Sequence, residues 1–263
     1  MSGGWSILES SRALKSRWNA GEPTFGGWVG SGSPHVVELL CSAGLDWIGL
    51  DGQHGYASPA LLPDMLRAAA ISRTPTIVRV PENTGAGIGS ALDMGANGVI
   101  IPMVNDRADA ERAASACRYG PVGTRSWGPT RPALAAPAYN TAVGDEGAIC
   151  LVMAETVEAV SNIEEIVAVE GVDGVFVGPL DMAISIGKPP TYTVDEPAIR
   201  AHMLHVRDVC RDAGKVVGTF PASIHLQDWA KEGFNFLGVV ADAEVLTRVP
   251  REMIAAVREG RNP

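Results

Sequence analysis

"DWIGLDGQHGY", residues 46–56, joins two kinds of sequence end to end. Trp47, Ile48, Gly49 and Leu50 form a short apolar run, as expected of a strand covered on both faces. Asp51, Gln53 and His54 then follow within four residues, spaced by glycine. A strand that ends in an acid and a histidine either leaves the core through a polar turn or delivers reactive groups to a site. The rest of the chain has to decide between these.

Similar runs recur along the whole length: "TFGGWVG" (24–30), "TPTIVRV" (74–80), "GVIIPMV" (98–104), "AICLVMAE" (148–155), "GVFVGP" (174–179), "VVGTF" (216–220) and "FLGVVAD" (236–242). Most are continuously apolar rather than alternating, which suits a parallel sheet buried on both sides. Helical stretches lie between them. "SPHVVELLCSAG" places Pro34 at a helix start and Gly44 at its stop. "TVEAVSNIEEIVAVEG" offers Thr156 as an N-cap and sets Ala159, Val160, Ile163, Ile166 and Val167 on one face.

Eight strands alternating with helices predict an α/β fold of the (β/α)8 TIM-barrel type. A doubly wound open sheet shares the same periodicity. No linker or shift in composition marks a boundary, so residues 1–263 are expected to form one barrel domain, with about residues 1–22 as an added N-terminal helix. The one long irregular stretch is "YGPVGTRSWGPTRPALAAPAYN", 119–140. Long loops in compact domains tend to carry function, as lid, binding loop or subunit contact.

The bulk properties exclude several classes of function. Among 263 residues, 46% are hydrophobic and 19% charged, a globular balance. A net charge of −9 without any basic block argues against nucleic acid as a partner. No apolar run is long enough to cross a bilayer, and "MSGGWSILESSR" lacks the features of a secretory leader. The four cysteines, Cys41, Cys117, Cys150 and Cys210, are widely spaced with no CxxC pair, as expected of a reduced cytoplasmic protein.

In a barrel, reactive groups come from the C-terminal ends of strands and the loops that follow. By that rule Asp51, His54, Arg79 of "IVRVP", Glu155 of "VMAET" and Asp181 of "GPLD" converge on one mouth. Glu155 and Asp181, on neighbouring strands, repel each other unless a proton or cation lies between them, and two carboxylates with water suit Mg²⁺ or Mn²⁺. The plainer readings are an N-cap role for Asp181 and an ion pair for Glu155. Arg79, in an apolar strand, needs an anion, either Glu155 or a substrate carboxylate or enolate oxygen. Asp51 stands close enough to His54 to orient its imidazole and raise its basicity. His35, His202 and His205 fall on expected helices, and His225 follows the seventh strand.

Two features drop out. Gly85, Gly87 and Gly89 in "TGAGIGSALDMG" are out of register for a dinucleotide fingerprint and follow the third strand rather than the first. Imine chemistry needs a lysine at the mouth, whereas Lys215 precedes its strand and Lys15, Lys188 and Lys231 read as helix or loop.

With these residues in place, the chain resembles the HpcH/HpaI family of metal-dependent pyruvate aldolases. The resemblance rests on "DWIGLDGQHG", "IVRVP", "ALDMGANGVIIPMV", "VMAET" and "VEGVDGVFVGPLDM", in order, across about residues 24 to 245. It implies a phosphoenolpyruvate/pyruvate-type barrel with an exchanged C-terminal helix, assembled as a homohexamer, a trimer of dimers. It implies Glu155 and Asp181 as ligands of Mg²⁺ or Mn²⁺, with Co²⁺ also suitable. Arg79 then faces the pyruvate keto oxygen, Asp51 and His54 handle the proton, and Gly178, Pro179, Leu180 and Asp181 cradle the carboxylate. Trp28 and Phe220 line the pocket, and Asp93 corresponds to a position reaching a neighbouring subunit's site. The implied reaction is reversible cleavage of a 4-hydroxy-2-keto acid into pyruvate and an aldehyde through a metal-bound enolate.

Two departures from the family pattern fall on the aldehyde side. Gln53 stands where glutamate is common, and Trp127, Pro129 and Pro132 stiffen the loop. Competing readings are a lyase acting on a CoA thioester, which no basic cluster supports, and a barrel used only for assembly or binding.

Overall fold

Eight strands pair in chain order and close on themselves: β1 (Thr24–Val29), β2 (Trp47–Asp51), β3 (Thr76–Arg79), β4 (Gly98–Ile101), β5 (Ile149–Ala154), β6 (Gly174–Val177), β7 (Val216–Thr219) and β8 (Phe236–Ala241). Every pairing is parallel, including the β1–β8 seam, where the register shifts between Gly26 and Gly27. The open-sheet alternative is therefore set aside in favour of the (β/α)8 barrel. The computed structural model describes residues 7–136, 138–190, 196–220 and 226–261.

Continuous apolar strands follow from two separate cores. Trp47, Ile77, Ile100, Ile149, Leu151, Met153, Phe176, Val216 and Phe236 fill the barrel, together with Leu14 and Trp18. Their strand neighbours, among them Ile48, Leu50, Val78, Val99 and Val175, face the helices instead. Both faces bury apolar surface, so no polar alternation is left. Inside, the Trp47 ring stacks on Phe236 with centroids 3.9 Å apart, and Trp18 meets Phe236 edge-on at 5.4 Å. Gly26 makes room for this layer: a Cβ there would lie 2.1 Å from the Trp47 ring.

Trp18 belongs to the helix Ile7–Asn19, which forms from the segment expected to be an added N-terminal helix. Asn97 Nδ2 ties it to the barrel by donating to the Ile7 carbonyl, Ser10 Oγ and Ser11 Oγ. Lys15 Nζ reaches the Ala148 carbonyl at 3.1 Å and Asp173 at 3.0 Å, and Lys215 Nζ reaches the Val172 carbonyl at 2.6 Å. These partners precede β5 and β6, so both lysines lie at the end opposite the mouth, as the sequence implied for Lys215.

Three local expectations shift. The strand expected over 98–104 stops at Ile101, because Pro102 has no N–H for the ladder and Met103 turns into the left-handed region at φ 54°. The stretch from Thr156 is two short helices, Val157–Ser161 and Ile163–Val167, broken at Asn162; Thr156 still caps the first, its Oγ1 accepting the Ala159 N–H. The 119–140 stretch contains a single turn of helix, Pro132–Ala135, and is pinned by Arg125, whose guanidinium lies 4.5 Å from the centre of the Tyr119 ring. No helix among the described residues is long and apolar enough to cross a membrane.

Candidate active site

At the C-terminal ends of the strands lies a cavity of about 320 Å³, lined by Trp28, Asp51, His54, Arg79, Met153, Phe176, Gly178, Pro179, Leu180, Asp181, Phe220 and Asp242, among others. Strand register builds its first wall. Asp51 and Arg79 are paired positions on β2 and β3, so their side chains emerge side by side from the ladder. Arg79 Nε donates to Asp51 Oδ1 at 2.9 Å and Nη2 to Oδ2 at 2.6 Å, a bidentate pair. The Trp28 indole N–H also donates to Asp51 Oδ2, at 3.2 Å, and the guanidinium lies 5.1 Å from the centre of the Trp28 ring.

Asp51 does not orient the imidazole in the way the sequence suggested. Its Oδ1 instead accepts the backbone N–H groups of Gln53 at 3.0 Å and His54 at 3.1 Å, closing the turn itself. The carboxylate is thus shared among Arg79, Trp28 and the backbone, and the His54 ring makes no hydrogen bond to any described residue. Arg79 likewise neutralises Asp51 rather than Glu155. Burial by itself would raise the Asp51 pKa, but Arg79, the His54 N–H and the Trp28 indole outweigh it and hold the carboxyl below the ordinary carboxylate value.

The opposite wall comes from β5 and β6. Glu155 follows β5 directly and is 2% exposed, so it sits behind the cavity surface rather than on it. Its Oε1 accepts the Met103 N–H at 2.7 Å, a donor aimed by the left-handed turn after β4. Gly178 covers it: a Cβ there would lie 2.9 Å from both Glu155 Cβ and Oε2, so only glycine leaves that oxygen approachable. Burial pushes the Glu155 carboxyl above its usual value, and the charge of Asp181 adds to this, opposed by the Met103 N–H and by Arg79. Asp181 lies half-buried in the first turn of the helix Pro179–Ser185. The Gly178 N–H is already bonded to the Ala154 carbonyl, and Pro179 has none, so Leu180 and Asp181 are left as the backbone donors of that turn.

Trp28, Phe176 and Phe220 supply apolar surface, Trp28 lying over Phe176 with centroids 5.7 Å apart and meeting Phe220 at 6.2 Å. Asp93 is not among the residues lining the cavity of its own chain; it pairs with Arg125 at 2.7 Å and accepts from Thr130 and Arg131. His35, His202 and His205 are on helices, and His225 lies outside the described residues. Gln53 keeps a buried Oε1 without a hydrogen-bond partner among the described residues.

Sequence reasoning missed Asp242 and the Met103 N–H. Asp242 ends "FLGVVAD", so the rule that found Asp51 would have found it too. The Met103 donor has no side-chain signature.

Known proteins resemble this chain in both sequence and fold. Residues 24–248 match the family model described as HpcH/HpaI aldolase/citrate lyase. A hydroxypyruvate/pyruvate aldolase of Rhizorhabdus wittichii is 36% identical over 249 residues, covering 93% of this chain and 98% of the relative. A 4-hydroxy-2-oxo-heptane-1,7-dioate aldolase of Shigella sonnei is 32% identical over 250 residues, covering 92% and 94%. The crystal structure of an HpcH/HpaI aldolase/citrate lyase family protein from Burkholderia cenocepacia superposes with a TM-score of 0.87 at 29% identity, covering 94% of this chain and 99% of that one. The chain belongs to the HpcH/HpaI aldolase/citrate lyase family.

Proposed function

We propose that this barrel is a divalent-metal-dependent aldolase that reversibly cleaves 4-hydroxy-2-keto acids to pyruvate and an aldehyde, with Glu155 and Asp181 as metal ligands and Asp51, His54 and Arg79 as the proton-handling and charge-stabilising set. Carbon–carbon lyase chemistry follows from the family and from relatives named as pyruvate and hydroxy-oxo-acid aldolases over most of the chain. The observation that carries the residue assignment is one cavity that gathers Asp51, His54, Arg79 and Asp181, with Glu155 directly behind Gly178.

The donor set fits a hard divalent cation. Arg79 forms its ion pair with Asp51, and among the described residues neither Glu155 nor Asp181 has an ion pair of its own, while the charge of Asp181 acts on Glu155. No group of three or more His, Cys, Asp or Glu residues is suited to hold a metal among the described residues. Two carboxylates completed by water and substrate oxygens suit Mg²⁺ or Mn²⁺, and Co²⁺ can take the same ligands. When bound, the cation supplies Lewis acidity that makes the methyl protons of a 2-keto acid removable.

The chain's own residues supply the rest. The Leu180 and Asp181 N–H groups, with Gly178 and Pro179 shaping the turn, receive the substrate carboxylate. Asp51 fixes the Arg79 guanidinium, whose remaining N–H groups meet negative charge developing on the keto oxygen. His54, exposed on the rim, removes a methyl proton directly or through water. The methyl carbon then adds to the aldehyde carbon, and the aldehyde oxygen takes up a proton; cleavage runs the same steps backwards. Trp28, Phe176 and Phe220 keep water from the reacting carbon.

One barrel domain over residues 1–263, acting in the cytoplasm as a homohexamer built from dimers, completes the reading. Support for assembly comes from the helix Asp242–Arg258, which leaves Leu246, Val249, Met253, Ile254 and Val257 exposed and suits exchange with a second copy. Asp93, off its own chain's cavity, would serve a neighbouring copy's site.

A coupled assay tests the activity: Mn²⁺-loaded protein with a 4-hydroxy-2-keto acid should release pyruvate, followed as NADH oxidation by lactate dehydrogenase. Full turnover after EDTA treatment and exhaustive metal removal would overturn the metal assignment.

A further inference from the structure

Asp242 opens the helix after β8 on the wall of the mouth cavity, yet it is only 3% exposed. Its Oδ1 accepts the N–H of Gly30 at 3.0 Å and of Ala243 at 2.8 Å, and its Oδ2 accepts the N–H of Ser31 at 2.9 Å. Both oxygens are held by backbone donors, so the carboxylate is placed to fix the chain rather than to handle a proton or a ligand.

What it fixes is the segment after β1, and that segment braces the turn carrying His54. The Gly30 carbonyl accepts the Tyr56 N–H at 2.8 Å. On the other side of the turn, Asp51 Oδ1 accepts the Gln53 and His54 N–H groups, and the Asp51 carbonyl accepts the Ala57 N–H at 3.2 Å. Packing here leaves no slack: a Cβ on Gly55 would lie 2.6 Å from the Asp51 carbonyl oxygen and 3.0 Å from Gly30 Cα. The His54 turn is therefore clamped between β2 and the post-β1 segment, and Asp242 holds that segment across the β8–β1 seam.

We propose that Asp242 is a positioning residue for the proton transfer, setting through Gly30 and Ser31 where the His54 imidazole stands. The proposal rests on His54 being the group that moves the methyl proton. The His54 ring makes no hydrogen bond to any described residue, so the backbone turn alone places it. A base must stand within hydrogen-bond reach of its proton, and a misplacement of about 1 Å costs on the order of 100-fold in rate.

The test follows exchange of pyruvate methyl protons into D₂O by proton NMR, using full-length Mn²⁺-loaded protein over a range of pyruvate concentrations. Asp242→Asn keeps the shape and removes the charge and one acceptor. Asp242→Ser keeps an acceptor beside the Ala243 N–H but is too short for Gly30 and Ser31. Ser33→Ala serves as a stability control, since Ser33 Oγ caps the next helix through the Val36 N–H at 3.4 Å and, among the described residues, makes no hydrogen bond to Asp242 or to the turn. Each Asp242 variant is expected to lower the saturating exchange rate about tenfold or more, with KM for pyruvate within about twofold of wild type. Hydrogen–deuterium exchange of the metal-free protein should rise in peptides spanning residues 51–57. Ser33→Ala should lower Tm and leave both readouts unchanged. Wild-type exchange rates in the folded Asp242 variants would overturn the proposal, as would an equal loss in Ser33→Ala. A wild-type protein that exchanges no methyl protons would overturn the His54 role itself, and the positioning role with it, before any variant is compared.

Discussion

Asp51 and Arg79 face each other as ladder partners on β2 and β3 and are joined by two hydrogen bonds, of 2.9 and 2.6 Å, at the floor of the mouth. Their side chains are 7% and 13% exposed, so the pair lies largely out of water. Removing one partner strands the other. Asp51→Ala is expected to cost about 3–5 kcal/mol, the penalty for an uncompensated buried charge. Arg79→Lys keeps the charge but loses the planar fork, so it should fold and yet fall about tenfold or more in kcat. Urea unfolding and the coupled pyruvate assay separate the two effects; an Arg79→Lys enzyme with wild-type kcat would remove Arg79 from the chemistry.

Acid should weaken the same pair. Although burial opposes it, the Arg79 contact holds the Asp51 pKa in the folded protein below its ordinary value of 3.8. The resulting stabilisation is fully present above pH 3.8 and is lost as pH falls through the lower, folded value. The gap in unfolding free energy between wild type and Asp51→Asn should therefore shrink as the medium is acidified below that point. A gap that stays constant in denaturant titrations across the range would contradict the linkage.

Metal affinity should depend on a residue that offers no ligand. Glu155→Gln and Asp181→Asn are each expected to weaken Mn²⁺ binding, read from the free-ion signal in electron paramagnetic resonance. Gly178→Ala should weaken it about tenfold or more as well, because its Cβ would press on Glu155 Oε2 at 2.9 Å. Unchanged Mn²⁺ affinity in Glu155→Gln would reject that ligand assignment.

Assembly should depend on the C-terminal helix. Leu246 is 61% and Ile254 52% exposed on one chain, apolar surface that the proposed assembly would cover. The double variant Leu246→Glu, Ile254→Glu should drop in mass by light scattering while keeping its helical circular dichroism. An unchanged mass would place the interface elsewhere.

Gly26→Ala tests the barrel's inner layer. The added methyl would lie 2.1 Å from the Trp47 ring, which is already stacked between Gly26 and Phe236. Overpacking of this kind costs about 1–3 kcal/mol, so Tm should fall without a change in metal affinity.

The features legible in the sequence were those set by local pattern. Apolar runs such as Trp47–Leu50 declare strands buried on both faces, because period and composition act within a few residues. The rule that strand C-termini carry chemistry then brought Asp51, His54, Arg79, Glu155 and Asp181 to one end, and the barrel places them there. The short helix around Pro132 and the break at Asn162 were not legible, since both depend on contacts made far along the chain; Asn162 Nδ2, for example, donates to the Asn105 carbonyl at 2.9 Å.

By itself, then, the sequence determined which segments form strands and which polar groups stand at their ends. Only the tertiary structure decided who pairs with whom. Asp51 lies three residues from His54 in the chain, yet its carboxylate goes to Arg79, because β2–β3 register brings that guanidinium alongside while the turn presents His54 through its backbone. Asp242 reaches Gly30 and Ser31 only because the β8–β1 seam closes the barrel. Register and closure are non-local, and a buried charge takes whichever partner they bring within hydrogen-bond distance.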